Sequence, residues 1–93
     1  MKQYNIFFKN IKSRSDFYTA LKQGLELPDW FGANADALWD MLTGHMEFPA
    51  VINIKGWTKL PSELDRTKKT VMEVFQEAAN YYMENNYKIN IID

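Results

Sequence analysis

The segment AVINIK, Ala50–Lys55, decides the fold of this chain. It follows Pro49 and is rich in β-branched residues, which predicts a strand. Helical patterns lie on both sides of it, in residues 15–44 and in residues 67–86. Strands that are separated by helices favour a parallel sheet, because parallel neighbours need a crossover connection of about a dozen residues or more.

Two more strands complete the predicted sheet. Tyr4–Phe8, YNIFF, is apolar and aromatic, and in Tyr87–Asp93, YKINIID, apolar residues alternate with polar ones. The segment GWTKLPSEL after the middle strand shows no regular pattern. The sequence therefore predicts one α/β domain over residues 1–93, in which helices pack on a three-stranded parallel sheet.

The first helix is predicted within residues 15–28. Its apolar side chains recur every four positions, namely Phe17, Leu21 and Leu25. Ser15 is its predicted N-cap and Pro28 its predicted end.

The last helix is predicted within residues 67–86. It carries one apolar stripe, made of Val71, Val74, Phe75, Ala78 and Tyr82. Asn85 and Asn86 suit a left-handed turn that ends it. Glu77, on the flank of the stripe, has no cation three or four positions away. Taken alone, it fits an ordinary solvated glutamate.

The composition is that of an ordinary globular domain, with 46% hydrophobic and 25% charged residues. No apolar run approaches the roughly 20 residues that cross a bilayer, and the apolar patch near the N-terminus is too short for a secretory signal. We therefore expect a cytoplasmic protein that does not bind membranes. The absence of cysteine excludes disulfides and the common zinc sites, and no motif predicts a metal or a cofactor.

The acidic residues are unevenly distributed along the chain. Residues 23–54 contain no lysine or arginine and five acids, which are Glu26, Asp29, Asp36, Asp40 and Glu47. The remaining residues contain seven acids and eleven bases, although the net charge is only −1. An acidic block on a weakly basic body can guide a basic partner, and it would repel nucleic-acid phosphates. Chance clustering of acids is the alternative explanation.

The middle helix, which includes DALWDMLT at residues 36–43, points two of these acids to solvent. At 100° per residue its buried stripe consists of Ala35, Leu38, Met41 and Leu42. Asp36, Asp40 and Thr43 fall on the opposite side, and Trp39 falls at the border. The helix dipole favours Asp36 in the first turn, whereas Asp40 has no cation within helical reach. Because acids four residues apart repel by about 0.2–0.5 kcal/mol, we expect a partner to supply the missing cations.

The loop LPDWFGAN before this helix carries two adjacent aromatic residues, Trp30 and Phe31. Exposed aromatic rings rimmed by charge are typical of interface anchors, and full burial of both rings is not expected here. The alternative is that one ring fills the edge of the sheet while the other is partly exposed. Asn34 is the predicted N-cap of the middle helix, and Gly44 is predicted to end it in the left-handed conformation.

The segment LPDWFGANADALWDMLTGHMEFP, residues 27–49, resembles the signature of the barstar family, intracellular inhibitors of barnase-type secreted ribonucleases. The shared features are the Leu-Pro-acid-aromatic-aromatic-Gly-x-Asn loop, then Asp-Ala-Leu-Trp-Asp and Leu-Thr-Gly. The resemblance covers almost the whole chain, including VMEVFQEA near its end. It implies a three-stranded parallel sheet with helices, and an inhibitor without enzymatic activity that plugs the active site of one basic ribonuclease.

The resemblance also implies which residues contact the nuclease. Asp40 takes the place of a substrate phosphate, and Asp36 and Glu77 meet basic groups of the enzyme. Six further residues fall on contact positions of the family: Trp30, Asn34, Trp39, Thr43, Gly44 and His45. Phe31 and Glu47 join this predicted partner-binding set, Phe31 as a loop aromatic and Glu47 as added negative charge.

The chain departs from the best-known family member at three of these positions. That member has tyrosines where Trp30 and Phe31 stand, and a tryptophan where His45 stands. These differences concern the identity and affinity of the partner more than the mode of binding.

Two other functions fit parts of the pattern. Asp36 and Asp40 could form an acid–base pair or a magnesium site, but the strip is convex and His45 has no base or nucleophile beside it. An immunity or adaptor protein that binds a different basic protein would show the same fold and the same acidic face.

Overall fold

The computed structural model describes residues 1–81 and 86–93, and in these residues the three predicted strands form one parallel sheet. In chain order the elements are β1 (Lys2–Phe7), α1 (Arg14–Gly24), α2 (Ala35–Gly44), β2 (Ala50–Lys55), two 3-10 turns (Trp57–Lys59 and Ser62–Leu64), α3 (Asp65–Ala79) and β3 (Tyr87–Ile91). The strand order is β1-β2-β3, and both pairs are parallel. The predicted α/β class is confirmed, although β1 begins and β3 ends two residues earlier than predicted.

The two faces of the sheet differ in character. One face is buried under the helices and carries Tyr4, Ile6, Ala50, Ile52, Ile54 and Tyr87. On the opposite face, three asparagines pair in register across the strands: Asn53 Nδ2 donates to Asn5 Oδ1 at 3.0 Å, and Asn90 Nδ2 donates to Asn53 Oδ1 at 3.1 Å. The core therefore lies between the sheet and the helices, as the alternation along each strand dictates.

The first helix begins and ends earlier than predicted. Its N-cap is Ser13 and not Ser15, because Ser13 Oγ accepts the backbone N–H of Asp16 at 3.1 Å. It ends before Pro28, at a left-handed residue, Glu26, whose φ is 56°. Leu27 N–H then donates to the Lys22 carbonyl at 2.9 Å, which satisfies an orphan carbonyl at the end of the helix.

The predicted left-handed end of α2 at Gly44 is wrong. Among the described residues, positive φ values occur at Asn10, Glu26, Ala33 and Gly56. α2 ends instead with two backbone N–H groups, those of His45 and Met46, donating to the single carbonyl of Met41. A glycine is therefore not required at position 44 for the backbone to turn.

The third helix packs its predicted stripe but ends before the predicted turn. Val71, Phe75 and Ala78 are buried, and Val74 is half-buried. The helix stops at Ala79, and Asn86 is buried. The predictions made for Tyr82 and Asn85 lie outside the described residues.

No helix within residues 1–81 and 86–93 combines the length and the hydropathy that a membrane-crossing segment needs.

Aromatic rings fill the space beneath α1 and the loop that follows it. Phe8 stacks on Phe17 with 4.7 Å between ring centroids, and Tyr18 meets the Phe31 ring at 6.3 Å. Trp57 packs against the first pair from the 3-10 turn after β2. Such ring pairs contribute about 0.5–1.5 kcal/mol each beyond the burial of their area, so they hold the loop that carries Trp30 firmly on the core.

Candidate functional site

The start of α2 is fixed by Asn34, the predicted N-cap. Its Oδ1 accepts the Ala37 backbone N–H at 2.8 Å, which confirms the cap. Its Nδ2 donates to the Gly32 carbonyl at 3.1 Å, so the same side chain also fixes the loop before the helix. Asn34 is thus engaged in folding, and its predicted contact with a partner remains a prediction.

The inner side of α2 is anchored to the sheet. Leu38, Met41 and Leu42 are buried, as the sequence predicts. The phenol of Tyr87 donates to the Leu42 carbonyl at 2.6 Å, and burial raises the pKa of this phenol, so it stays a neutral donor. Tyr4 holds the segment after the helix, because its hydroxyl oxygen accepts the Glu47 backbone N–H at 3.1 Å. Sequence reasoning missed both tyrosine anchors, which look like ordinary strand residues.

The five acids of residues 23–54 fall into two groups in the structure. Glu26 forms an ion pair with Lys2 at 3.0 Å, and Asp29 forms one with Lys22 at 3.0 Å. The other three, Asp36, Asp40 and Glu47, are exposed and form no ion pair within residues 1–81 and 86–93. The uncompensated negative charge is therefore concentrated on the outer face of α2 and just beyond its end.

A groove runs beside Asp40 on this outer face. Its volume is about 470 Å³, and its lining consists of Trp30, Gly32, Ala37, Asp40, Met41, Gly44 and His45. The Trp30 side chain is 69% exposed, and its ring meets the His45 ring edge-on with 5.9 Å between centroids. At Gly44 an added Cβ would meet no atom within 4 Å, so the groove is open there. The structure thus brings together four of the predicted residues: Trp30, Asp40, Gly44 and His45.

Phe31 does not share the exposure of its neighbour. Its side chain is only 8% exposed and packs against Tyr18. The two rings of the loop therefore take opposite roles. This matches the alternative in that one ring is buried and the other exposed, although the ring contact of Phe31 is with Tyr18 of α1. The expectation of Phe31 as an exposed contact residue does not match this burial, because its ring lies under the site rather than on it.

The other side of the helix is lined by Trp39 and Thr43, both half-buried. Thr43 Oγ1 donates to the Trp39 carbonyl at 2.7 Å, so its hydroxyl is already used within the helix. The Trp39 ring meets the Tyr81 ring edge-on at 4.9 Å. Tyr81 is 52% exposed and extends the aromatic surface beyond α2. Sequence reasoning missed it, since only the packing of α3 on α2 brings it there.

Glu77 lies on the exposed side of α3, the helix that packs against α2. The described contacts do not link its carboxylate to Asp36 or Asp40. Among the described residues, no three His, Asp or Glu side chains are grouped closely enough to hold a metal ion.

The chain is similar to a known protein family and to a protein of Bacillus subtilis. The family model described as Barstar (barnase inhibitor) matches residues 1–92. A protein of Bacillus subtilis (strain 168), named "Putative ribonuclease inhibitor YrdF", is 37% identical over 84 residues, which cover 90% of this chain and 88% of that protein.

Proposed function

This chain belongs to the barstar family of inhibitors, and we propose that it inhibits a barnase-like ribonuclease by occupying the basic active site of that enzyme. One inhibitor binds one nuclease, inside the cell that makes both. The outer face of α2 and the Trp30 loop form the contact surface.

The observation that carries the proposal is the environment of Asp40. Its carboxylate is exposed, it lines the groove beside Trp30, and it forms no ion pair in the described part of the chain. A ribonuclease site holds phosphate with cationic side chains, and charge-assisted hydrogen bonds to a carboxylate use the same donors. A carboxylate on a helix that is anchored by Tyr87 and capped by Asn34 is held in place before binding, as a phosphate mimic needs to be.

The other predicted site residues fall into three groups: exposed acids, aromatic and glycine residues at the groove, and residues that hold the loop and helix. Asp36, Glu47 and Glu77 are exposed carboxylates that can attract and pair with cations of the enzyme. Trp30, His45 and Trp39 offer rings around or beside the groove, and Gly44 leaves space for a side chain of the partner. Asn34, Thr43 and Phe31 act through the loop and helix that they hold.

The test is a titration of barnase activity with the wild-type chain and with Asp40→Ala. We expect the variant to lose about 2 to more than 5 kcal/mol of binding free energy, a range drawn partly from the barnase–barstar pair itself, because the enzyme's cations are left buried without a partner. The loss should appear mainly in the dissociation rate. The melting temperature should stay the same or rise, because Asp40 makes no stabilising contact in the free protein.

Glu63→Ala is the matched control, since Glu63 is an exposed carboxylate on the 3-10 turn before α3. It should inhibit like wild type. Equal inhibition by Asp40→Ala and wild type would show that Asp40 is not the phosphate mimic. A wild-type chain that does not inhibit barnase would contradict the proposed target and favour the immunity or adaptor alternative, in which the same face binds another basic protein.

A further inference from the structure

His45 is the only histidine of the chain and lies at the end of α2, where it lines the groove that also contains Asp40. Its backbone N–H donates to the Met41 carbonyl at 3.0 Å, which fixes the point where its side chain leaves the helix. Its ring packs edge-on against the Trp30 ring, at an angle of 81°. The imidazole is therefore held beside the groove before a partner binds.

The ring nitrogens of His45 are not used in folding. The side chain is exposed, and within residues 1–81 and 86–93 it forms neither a side-chain hydrogen bond nor an ion pair. A neutral imidazole offers one N–H donor and one nitrogen acceptor, whereas the protonated ring offers two donors and no acceptor. What the groove offers to a partner therefore depends on whether His45 carries a charge.

The acids near His45 leave the groove negative. Asp40 lines the same groove, and Glu47 follows His45 two positions along the chain. Both are exposed and form no ion pair within the described residues. At neutral pH the groove thus presents a carboxylate and, on the neutral imidazole, a nitrogen acceptor.

The cations of this region do not enter the groove, since its lining includes no lysine or arginine. Lys22 forms its ion pair with Asp29, in the loop before α2. Lys2, which also interacts electrostatically with Glu47, forms its ion pair with Glu26. Protonation of His45 would therefore place the first positive charge among the lining residues.

We propose that His45 determines partner specificity through its neutral form, which accepts a hydrogen bond from a cationic side chain of the nuclease. This inference rests on the proposed function, because a site that holds phosphate does so with cationic side chains, which are hydrogen-bond donors without an acceptor. Neutral His45 matches such a donor. Protonated His45 does not, because it lacks the acceptor and brings a like charge to the interface, which strongly disfavours binding.

The proposal fixes the direction of the pH dependence. If the complex contains only neutral His45, each free chain whose His45 is protonated must release that proton on binding. Affinity therefore rises with pH across the range in which histidine changes charge, and it levels off above that range. A single histidine of this kind changes affinity by about tenfold between about pH 5.5 and about pH 7.5.

The test is a titration of barnase activity at these two pH values with the wild-type chain, His45→Gln and His45→Phe. His45→Gln keeps a side-chain oxygen acceptor and does not titrate, so it should bind like wild type at the higher pH and about tenfold more tightly than wild type at the lower pH. His45→Phe keeps a ring beside Trp30 without an acceptor, so it should bind about tenfold more weakly than wild type at the higher pH. The nuclease and the other acids titrate in every mixture, so the ratio of wild type to His45→Gln isolates the effect of His45.

Thermal melts at both pH values establish that all three proteins are folded. The same pH dependence for wild type and His45→Gln, or full inhibition by His45→Phe at the higher pH, would overturn the role of His45 and leave the proposed inhibition intact. A wild-type chain that fails to inhibit at both pH values would instead overturn the proposed function, and this inference with it.

Discussion

The outer face of α2 and the aromatic core beneath it differ in whether their side chains have partners within the protein. In the core, several rings pack against other rings, as Tyr18 packs against Phe31. On the outer face, Asp36 and Asp40 form no ion pair within the described part of the chain, and the Trp30 side chain is mostly exposed to water. Such groups contribute little to folding, which supports the proposal that this surface binds a partner.

The same contrast appears among the acids alone. Glu26 and Asp29 belong to the acidic block, but lysines from outside the block neutralise them. Asp36 and Asp40 lie on the neighbouring helix and stay unpaired. The block is thus not uniformly acidic in space, and the part that we propose to bind the nuclease is narrower than the sequence indicates.

The largest effect should follow from Phe31→Ala. Removing a buried aromatic ring leaves a cavity and costs about 3–5 kcal/mol of stability. Phe7→Ala is the matched control, because Phe7 is 56% exposed on the open face of the sheet and its removal should cost far less. Urea unfolding of both variants measures the difference. Similar losses for the two variants would show that Phe31 does not belong to the core.

Although Trp30 is adjacent to Phe31, Trp30→Ala should weaken binding and leave stability nearly unchanged, whereas Phe31→Ala should lower stability. The ring is exposed, so the melting temperature should hardly change, while binding to the nuclease should weaken by about 1–3 kcal/mol, as for an interface anchor. Calorimetric titration with barnase gives the affinity. Trp57→Ala, at a buried tryptophan, should lower the melting temperature instead. A large fall in melting temperature for Trp30→Ala would place the ring with the core.

Sequence reasoning predicted the fold and the outward direction of the acids because both depend on local pattern. Alternation and helical spacing determine which side chains of AVINIK and DALWDMLT are buried. It failed at helix ends that depend on unusual residues. A left-handed glutamate, Glu26, follows the end of α1 before the predicted stop at Pro28, and α2 ends at Gly44 without the predicted left-handed glycine.

The site could be predicted only where its residues lie in one segment. Asp36 and Asp40 are four positions apart on one helix, so their spacing predicts that they share a surface. The pairing of Asp29 with Lys22, and the contact of Tyr81 with Trp39, depend on how separate elements pack. No local pattern determines which of Trp30 and Phe31 is buried, because the loop between α1 and α2 is irregular.

The smallest effect, and the sharpest test of the contrast between paired and unpaired acids, concerns association rate. If the unpaired carboxylates guide the nuclease, the association rate constant should fall markedly between low salt and about 0.5 M salt, while dissociation changes less. Asp36→Asn should slow association at low salt by a few-fold and reduce its dependence on salt. Glu26→Gln removes the same formal charge from an acid that Lys2 already neutralises, and it should alter the rate less. Stopped-flow mixing with barnase at several ionic strengths measures all three proteins. The field of a single charge falls off within a screening length of roughly 10 Å at 0.1 M salt, so steering by a local surface predicts different effects of the two variants. Equal slowing by both would mean that only the total charge matters. An association rate constant that does not depend on salt would show that the acidic face does not steer the nuclease. The acidic residues could then contribute only after the two proteins are in contact.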